Sequence, residues 1–355
     1  MTDAPIIFHC ASLGEYEQAL PIIFALKKQR PDENIWVSFF SPSGYHNAEI
    51  PKEVDYYCYL PADTSRGMKR FIASTKPKAF ISIKYEIWPN LIRQCKKKQV
   101  PFLLLAAHFR ANQVYFKPWG GFFRKALKNI HAIATQYNQA KSLVEGINPN
   151  TSLMGDTRFE RVSETAKQAW QDDRIEQFCD GEKVLMLGSC WEEELNILHK
   201  TINEIDSKII LAPHRVDDGF VNKIEQLFAG RCERYSDPTK GASILIIDKI
   251  GILKYAYRHA YLAFVGGGFK NALHNILEPL AYGIPVCFGP ETEKYPESKA
   301  CVKENAGFVV SDAGGLAKML KERGSLNKYG ENAQIWVSSN LNASTKAVQL
   351  ILSIL

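Results

Sequence analysis

The chain alternates two hydrophobic rhythms along most of its length. Short, continuously apolar runs fall at residues 6–10, 35–40, 56–59, 79–83, 102–106 and 132–135. They resume at 184–187, 208–211, 244–247, 262–265, 285–288 and 308–310. Strands that are apolar on both faces belong to parallel sheets covered on both sides. Between the runs lie stretches of helical period, among them 17–28, 67–74, 192–204 and 221–228. This alternation predicts an α/β chain of two Rossmann-like, doubly wound domains, which face each other across a cleft at the carboxyl ends of their strands. A polar, helix-patterned stretch near 160–182 ends at Asp180-Gly181. The expected domains are therefore 1–165 and 183–355, with 166–182 as linker. The last apolar helix, near 343–355, suits packing on either domain.

Length agrees: 355 residues fit two domains of ordinary size. Charge adds an asymmetry. Residues 1–150 hold 20 Lys and Arg against 11 Asp and Glu, whereas the remainder holds 24 against 27. A basic first half suggests an anionic partner, and ordinary solvated lysines account for the charge equally well. The eight cysteines form no C-x-x-C pair, the usage of reduced intracellular thiols. No secretory signal and no apolar run of the roughly 18 residues needed for a membrane span is visible. Ligand spacings such as H-x-x-x-H are absent, as are D-x-D and G-x-S-x-G, so no metal and no cofactor is expected.

Chemistry concentrates where apolar runs end. After the first run, "ASLGEYEQAL" places Glu15 beside Gly14 at the mouth of a helix, on the expected cleft edge. After the run 262–265 come three glycines, 266 to 268, then His274-Asn275 and Glu278. Successive glycines let amides such as those of Gly267 and Gly268 approach a phosphate, and a helix N-terminus favours the same anion. Asn275 and Glu278 share a helix face; the pair suits a ribose diol, or caps its own helix. "LGSCWEEEL" (187–195) offers Ser189 as a cap or a phosphate contact. "ILAPHRVDD" (210–218) ends a strand with His214-Arg215, and "DKIGILKYAY" (248–257) offers Gly251 to a base edge. "ISIKYEIWPNLI" (81–92) puts Lys84 and Glu86 after a strand, as ligand contacts or a structural ion pair. In 110–130, Arg110, Lys117, Arg124, Lys125 and Lys128 mingle with Trp119 and four further aromatics. That mixture suits an anionic bilayer surface, or a core-packed helix with a solvated basic face; no nucleic-acid module is visible.

Three stretches, "FHCASLGEYEQALPII" (8–23), "KYEIWPNLI" (84–92) and "FVGGGFKNALHNILEPLAYGIPVCFGP" (264–290), resemble in order the bacterial Kdo (3-deoxy-D-manno-oct-2-ulosonic acid) transferases. The resemblance implies a GT-B fold with the acceptor, a lipid A precursor, on the first domain and the donor CMP-Kdo on the second. It implies inverting, metal-independent transfer in lipopolysaccharide synthesis at the cytoplasmic face of the inner membrane. By the same resemblance Glu15 is the general base, Glu86 a second acid, Gly251 near the cytosine, and Asn275 with Glu278 part of the nucleotide site. The chain departs from the family's pattern in places. Lys84 replaces a usual Glu, His214-Arg215 inverts a usual Arg-His, and Ile252 replaces a Glu. The N-A-R-x-S stretch is not recognisable near 106–110, and the apolar N-terminal anchor is absent, which makes attachment to the membrane peripheral. Two other functions compete: a GT-B enzyme using a UDP-sugar, and a non-catalytic anionic-lipid-binding protein.

Overall fold

The computed structural model describes residues 4–238 and 241–355. The chain forms two compact units, one of Met1–Arg161 with Asn340–Leu355 and one of Val162–Ser339.

The first unit carries seven parallel strands: β1 (Ile6–His9), β2 (Ile35–Phe39), β3 (Tyr56–Tyr59), β4 (Ala79–Ile83), β5 (Phe102–Ala107), β6 (Ala132–Thr135) and β7 (Thr151–Leu153). Their spatial order is 3-2-1-4-5-6-7. Alternation along each central strand divides the apolar residues between two cores. Ile6, Phe8, Ile81, Leu103 and Leu105 face the helix Leu13–Gln29 and the last helix, Ala343–Leu352. Ile7, Phe80, Phe102 and Leu104 face the helices Ser65–Thr75, Pro89–Lys97 and Gly121–Lys128. A sheet buried on both faces is why these strands read as unbroken apolar runs.

The second unit repeats the plan with β8 (Val184–Cys190), β9 (Ile209–Pro213), β10 (Cys232–Arg234), β11 (Ile244–Ile246), β12 (Ala260–Val265), β13 (Val286–Phe288) and β14 (Gly307–Val309). Their order is 10-11-9-8-12-13-14, again all parallel. One core joins Leu185, Leu187, Leu211 and Phe264 to Leu198, Phe220, Ile224 and Leu316 on the covering helices.

Two strands have no counterpart among the apolar runs. β7 and β10 are three-residue edge strands, Thr-Ser-Leu and Cys-Glu-Arg, paired on one side only and therefore free of the demand for continuous apolarity. The stretch expected as linker contains the helix Asp173–Cys179, which buries Ile175 and Phe178 in the second unit. There the Tyr235 hydroxyl donates to Asp172 at 2.7 Å, and Arg174 pairs with the buried Glu233 at 2.8 Å. The final helix returns to the first unit. The Glu160 carboxylate accepts the Ser344 amide at 3.0 Å and its hydroxyl at 2.8 Å.

Because Glu160 and Ser344 are both buried, removing the carboxylate leaves two donors unsatisfied. Glu160→Ala should cost about 1–3 kcal/mol, seen as a lower urea midpoint.

Candidate functional site

In an open parallel sheet, loops part where the crossover direction reverses, and ligands bind there. In the first unit that point lies between β1 and β4, which pair directly from Ile6 with Ala79 to His9 with Ser82. Glu15 follows β1 and Glu86 follows β4, so pairing brings the two carboxylates to one place. The Cys10 thiol reports it. Burial chiefly, then Glu15 and Glu86, push the thiol well above its ordinary value.

Glu15 sits in the first turn of Leu13–Gln29. Its Oε2 accepts the Ser12 amide at 2.8 Å and also the Ser12 hydroxyl. It is thus a capping group on one oxygen, while none of the described hydrogen bonds uses the other. Glu86 Oε2 accepts the Trp88 indole N–H at 2.8 Å and faces His9 Nε2 at 3.8 Å. Lys84 takes a left-handed φ of 66° and lies over the Tyr85 ring. Arg110 donates to the Tyr85 hydroxyl at 3.2 Å.

The aromatic and basic stretch folds as a tight turn, Val114–Phe116, and the helix Gly121–Lys128. Arg124 is not a surface cation: it donates to the carbonyls of Tyr115, Lys117 and Pro118 and ties the turn to the helix. Ala126 and Leu127 are buried, Lys117 is half-buried, and Lys125 and Lys128 are exposed. Trp119 and Phe122 stand out at 76 % and 66 % exposure. The helix is therefore core-packed on one side and carries two bare aromatics beside two lysines.

In the second unit the reversal lies between β8 and β12, which pair from Ala260 with Val184 to Val265 with Gly188. Ser189 lies among the last residues of β8, next to its end at Cys190, and the glycine triplet follows β12. The triplet answers first to packing. A methyl on Gly266 would overlap the Ser189 carbonyl, one on Gly267 (φ 86°) the Ala272 carbonyl, and one on Gly268 the Gly289 backbone. The Gly267 amide, expected at a phosphate, donates instead to the buried Glu194 at 2.8 Å. None of the described hydrogen bonds uses the Gly268 amide. Ser189 itself takes a φ of 53°, and the helix Glu192–Thr201 is capped two residues later, where Glu194 also accepts the Trp191 amide at 2.9 Å. Trp191 stacks on His214 at 3.8 Å and donates its indole N–H to His274 at 3.4 Å. Arg215 lies on the surface, 3.4 Å from Asp217. Gly251, with φ 92°, opens to free space on an exposed turn. The helix after the glycines is only five residues, Leu277–Ala281, so the dipole expected for a phosphate is slight. Asn275 Nδ2 donates to Glu278 Oε1 at 3.2 Å, and its Oδ1 accepts the Leu277 amide.

Residues 1–161 match the family described as "3-Deoxy-D-manno-octulosonic-acid transferase (kdotransferase)". The 3-deoxy-D-manno-octulosonic acid transferase of Aquifex aeolicus is 29% identical over 340 residues, 90% of this chain and 86% of that one. The chain is thus similar to Kdo transferases, by the family description over its first 161 residues and by curated relatives over most of its length. The transferase of that name from Haemophilus influenzae is 26% identical over 98% of this chain and 86% of its own. Among solved structures, a UDP-GlcNAc 2-epimerase from Neisseria meningitidis bound to UDP-GlcNAc superposes with a TM-score of 0.70 at 15% identity, covering 98% of this chain and 100% of that one. That likeness is one of fold, the GT-B class of two Rossmann-like domains.

Motif reading gave no role to His9, Trp191 and Glu194, and named His274 only as the neighbour of Asn275. Glu194 had a signal, a carboxylate three residues after Trp191 at the spacing of a capping box. The imidazoles gave none. Burial, with His214 beside it, lowers His274 to about 4, and burial and Arg215 lower His214. Burial raises Glu278 to about 7, against the Asn275 hydrogen bond and nearby Lys254. A carboxyl held above its ordinary value of 4.5 binds its proton more tightly in the folded chain. Folding stability from this group is therefore complete below about pH 4.5 and is lost as pH rises through about 7. Relative to the native chain, Glu278→Gln should gain stability between pH 5 and pH 8; urea midpoints at the two pH values check this.

Proposed function

We propose that the protein transfers Kdo from CMP-Kdo to a lipid A precursor in lipopolysaccharide synthesis, by an inverting mechanism without a metal. The observation that carries the reading is Glu15. It stands one turn past β1 at the reversal point of the first sheet, beside Glu86, in the unit that matches the Kdo transferase description. A sugar hydroxyl attacks poorly until a base takes its proton as the new bond forms. A positioned carboxylate supplies about 10²–10⁴-fold. The position at the helix N-terminus favours the ionised form of Glu15 by roughly 0.3–1 kcal/mol.

The second unit takes the nucleotide. Glu278 and Asn275 accept and donate to the ribose hydroxyls, and Gly251 offers its backbone to the base. The departing CMP phosphate gathers charge that Ser189, the Gly268 amide and Arg215 stabilise. His214 serves there as a neutral donor, because burial and Arg215 disfavour its charged form. The acceptor's phosphates meet Lys84 and Arg110 on the first unit. Trp119, Phe122, Lys125 and Lys128 rest on the anionic leaflet at the cytoplasmic face of the inner membrane, with the aromatics at the interface and the lysines on headgroups. Among the described residues no helix is long and apolar enough to cross a membrane, so this surface is the contact we assign.

The fold likeness to UDP-GlcNAc 2-epimerases favours a second reading, a UDP-sugar enzyme. Calorimetry separates the two, since CMP should bind tighter than UDP. Glu15→Gln keeps the capping spacing and removes the base. It should slow Kdo transfer about 10²–10⁴-fold with CMP affinity unchanged, read by mass spectrometry of the acceptor. A non-catalytic lipid-binding protein would show no transfer in the native chain. Charge reversal at Lys125 and Lys128 should weaken sedimentation with phosphatidylglycerol vesicles and leave CMP binding intact.

A further inference from the structure

His9 ends β1 and is fully buried, yet its Nε2 has no hydrogen-bond partner. Leaving a buried polar atom unpaired costs about 1–3 kcal/mol. The ring is held on its other side: Nδ1 lies 3.0 Å from the Ser38 carbonyl oxygen and 3.1 Å from the Ser38 hydroxyl. Trp88 meets it edge-on at 5.6 Å and Phe80 lies tilted at 6.4 Å. In that pose Nε2 faces Glu86 Oε2 at 3.8 Å, the same oxygen that accepts the Trp88 indole N–H.

A bare Nε2 would set a lone pair against a carboxylate, two acceptors facing each other out of water. A proton on Nε2 turns the contact into a donor facing an acceptor. Ser38 leaves that choice open, because it offers Nδ1 both an acceptor, its carbonyl, and a donor, its hydroxyl. In histidine the partner of one nitrogen sets the state of the other. Here both states of Nδ1 find a partner, so the group opposite Nε2 decides.

We propose that His9 carries a proton on Nε2, held toward Glu86, and that His9 is the positioning residue for that carboxylate. Oε2 of Glu86 then accepts the Trp88 N–H at 2.8 Å and has the His9 N–H turned toward it from 3.8 Å. That restrains the carboxylate on one oxygen and leaves Oε1, which none of the described hydrogen bonds uses, for the reacting site. The mechanistic part rests on the reading above that Glu86 belongs to the reacting site; the proton's location does not.

Two-bond ¹H–¹⁵N correlation spectra of the full chain read which histidine nitrogens carry protons, with His9 assigned by comparison with H9N. Nε2 protonated in the native chain, with the proton lost from Nε2 in E86A, is the expected result. A bare Nε2 in the native chain overturns the proposal, and so does an Nε2 proton that survives E86A. The native spectrum needs no substitution, so a poorly folding variant does not spare the idea. H9N keeps a donor toward Ser38 and lacks the group opposite Glu86. It should lower kcat by up to about 100-fold, the cost of an ångström's misplacement, with KM for CMP-Kdo nearly unchanged. The double variant H9N/E86Q should be no slower than E86Q. Full additivity would mean that His9 does not act through Glu86. If E86Q transfers Kdo normally while Nε2 remains protonated, Glu86 leaves the mechanism and the His9–Glu86 pair stands.

Discussion

Direct parallel pairing of β1 with β4, and of β8 with β12, governs where chemistry is available in each unit. A parallel pair needs a crossover, and crossovers that run to opposite sides of the sheet leave a gap at the carboxyl ends of the central pair. Every group assigned to catalysis or to the nucleotide's phosphate lies at the end of, or follows, one of those four strands or its immediate neighbours. Glu15 and Glu86 are 71 positions apart in the chain, and only the β1–β4 ladder makes them flank one thiol.

Several residues at these points, some of them assigned chemistry above, serve structure. Glu15 caps its own helix through one oxygen. Glu194, fully out of solvent, binds the Trp191 and Gly267 amides and so ties the loop after β8 to the loop after β12. The glycine triplet brings backbone against backbone in the same region, where any side chain would collide. A loop held this closely needs no ligand to shape it. If the loop takes the nucleotide as proposed, its open groups, the Ser189 hydroxyl among them, are already set, which lowers the ordering cost of binding.

The opposed titration of neighbouring groups follows from burial acting on groups of opposite sign. It neutralises His274 by lowering it and Glu278 by raising it, because each loses water that stabilised its charged form. On the proposed reading, a site that keeps both near neutrality leaves the donor's phosphate to backbone, hydroxyl and surface arginine rather than to a fixed buried ion pair.

The apolar runs and their spacing were enough to read two parallel α/β units and twelve of the fourteen strands, because a sheet buried on both faces writes its strands as unbroken hydrophobic segments. The edge strands β7 and β10 were illegible for the converse reason: pairing on one side alone places no such demand on Thr151–Leu153 or Cys232–Arg234. Glu15, Glu86, the glycines and Glu278 were legible as local motifs at strand ends. The place of the last helix was not, since an apolar face does not name its partner, and the Glu160–Ser344 bonds decided it. His9 reads in sequence as one more residue of an apolar run. Its tie to Ser38 and its approach to Glu86 depend on three strands lying side by side, a relation between distant segments that no local pattern encodes.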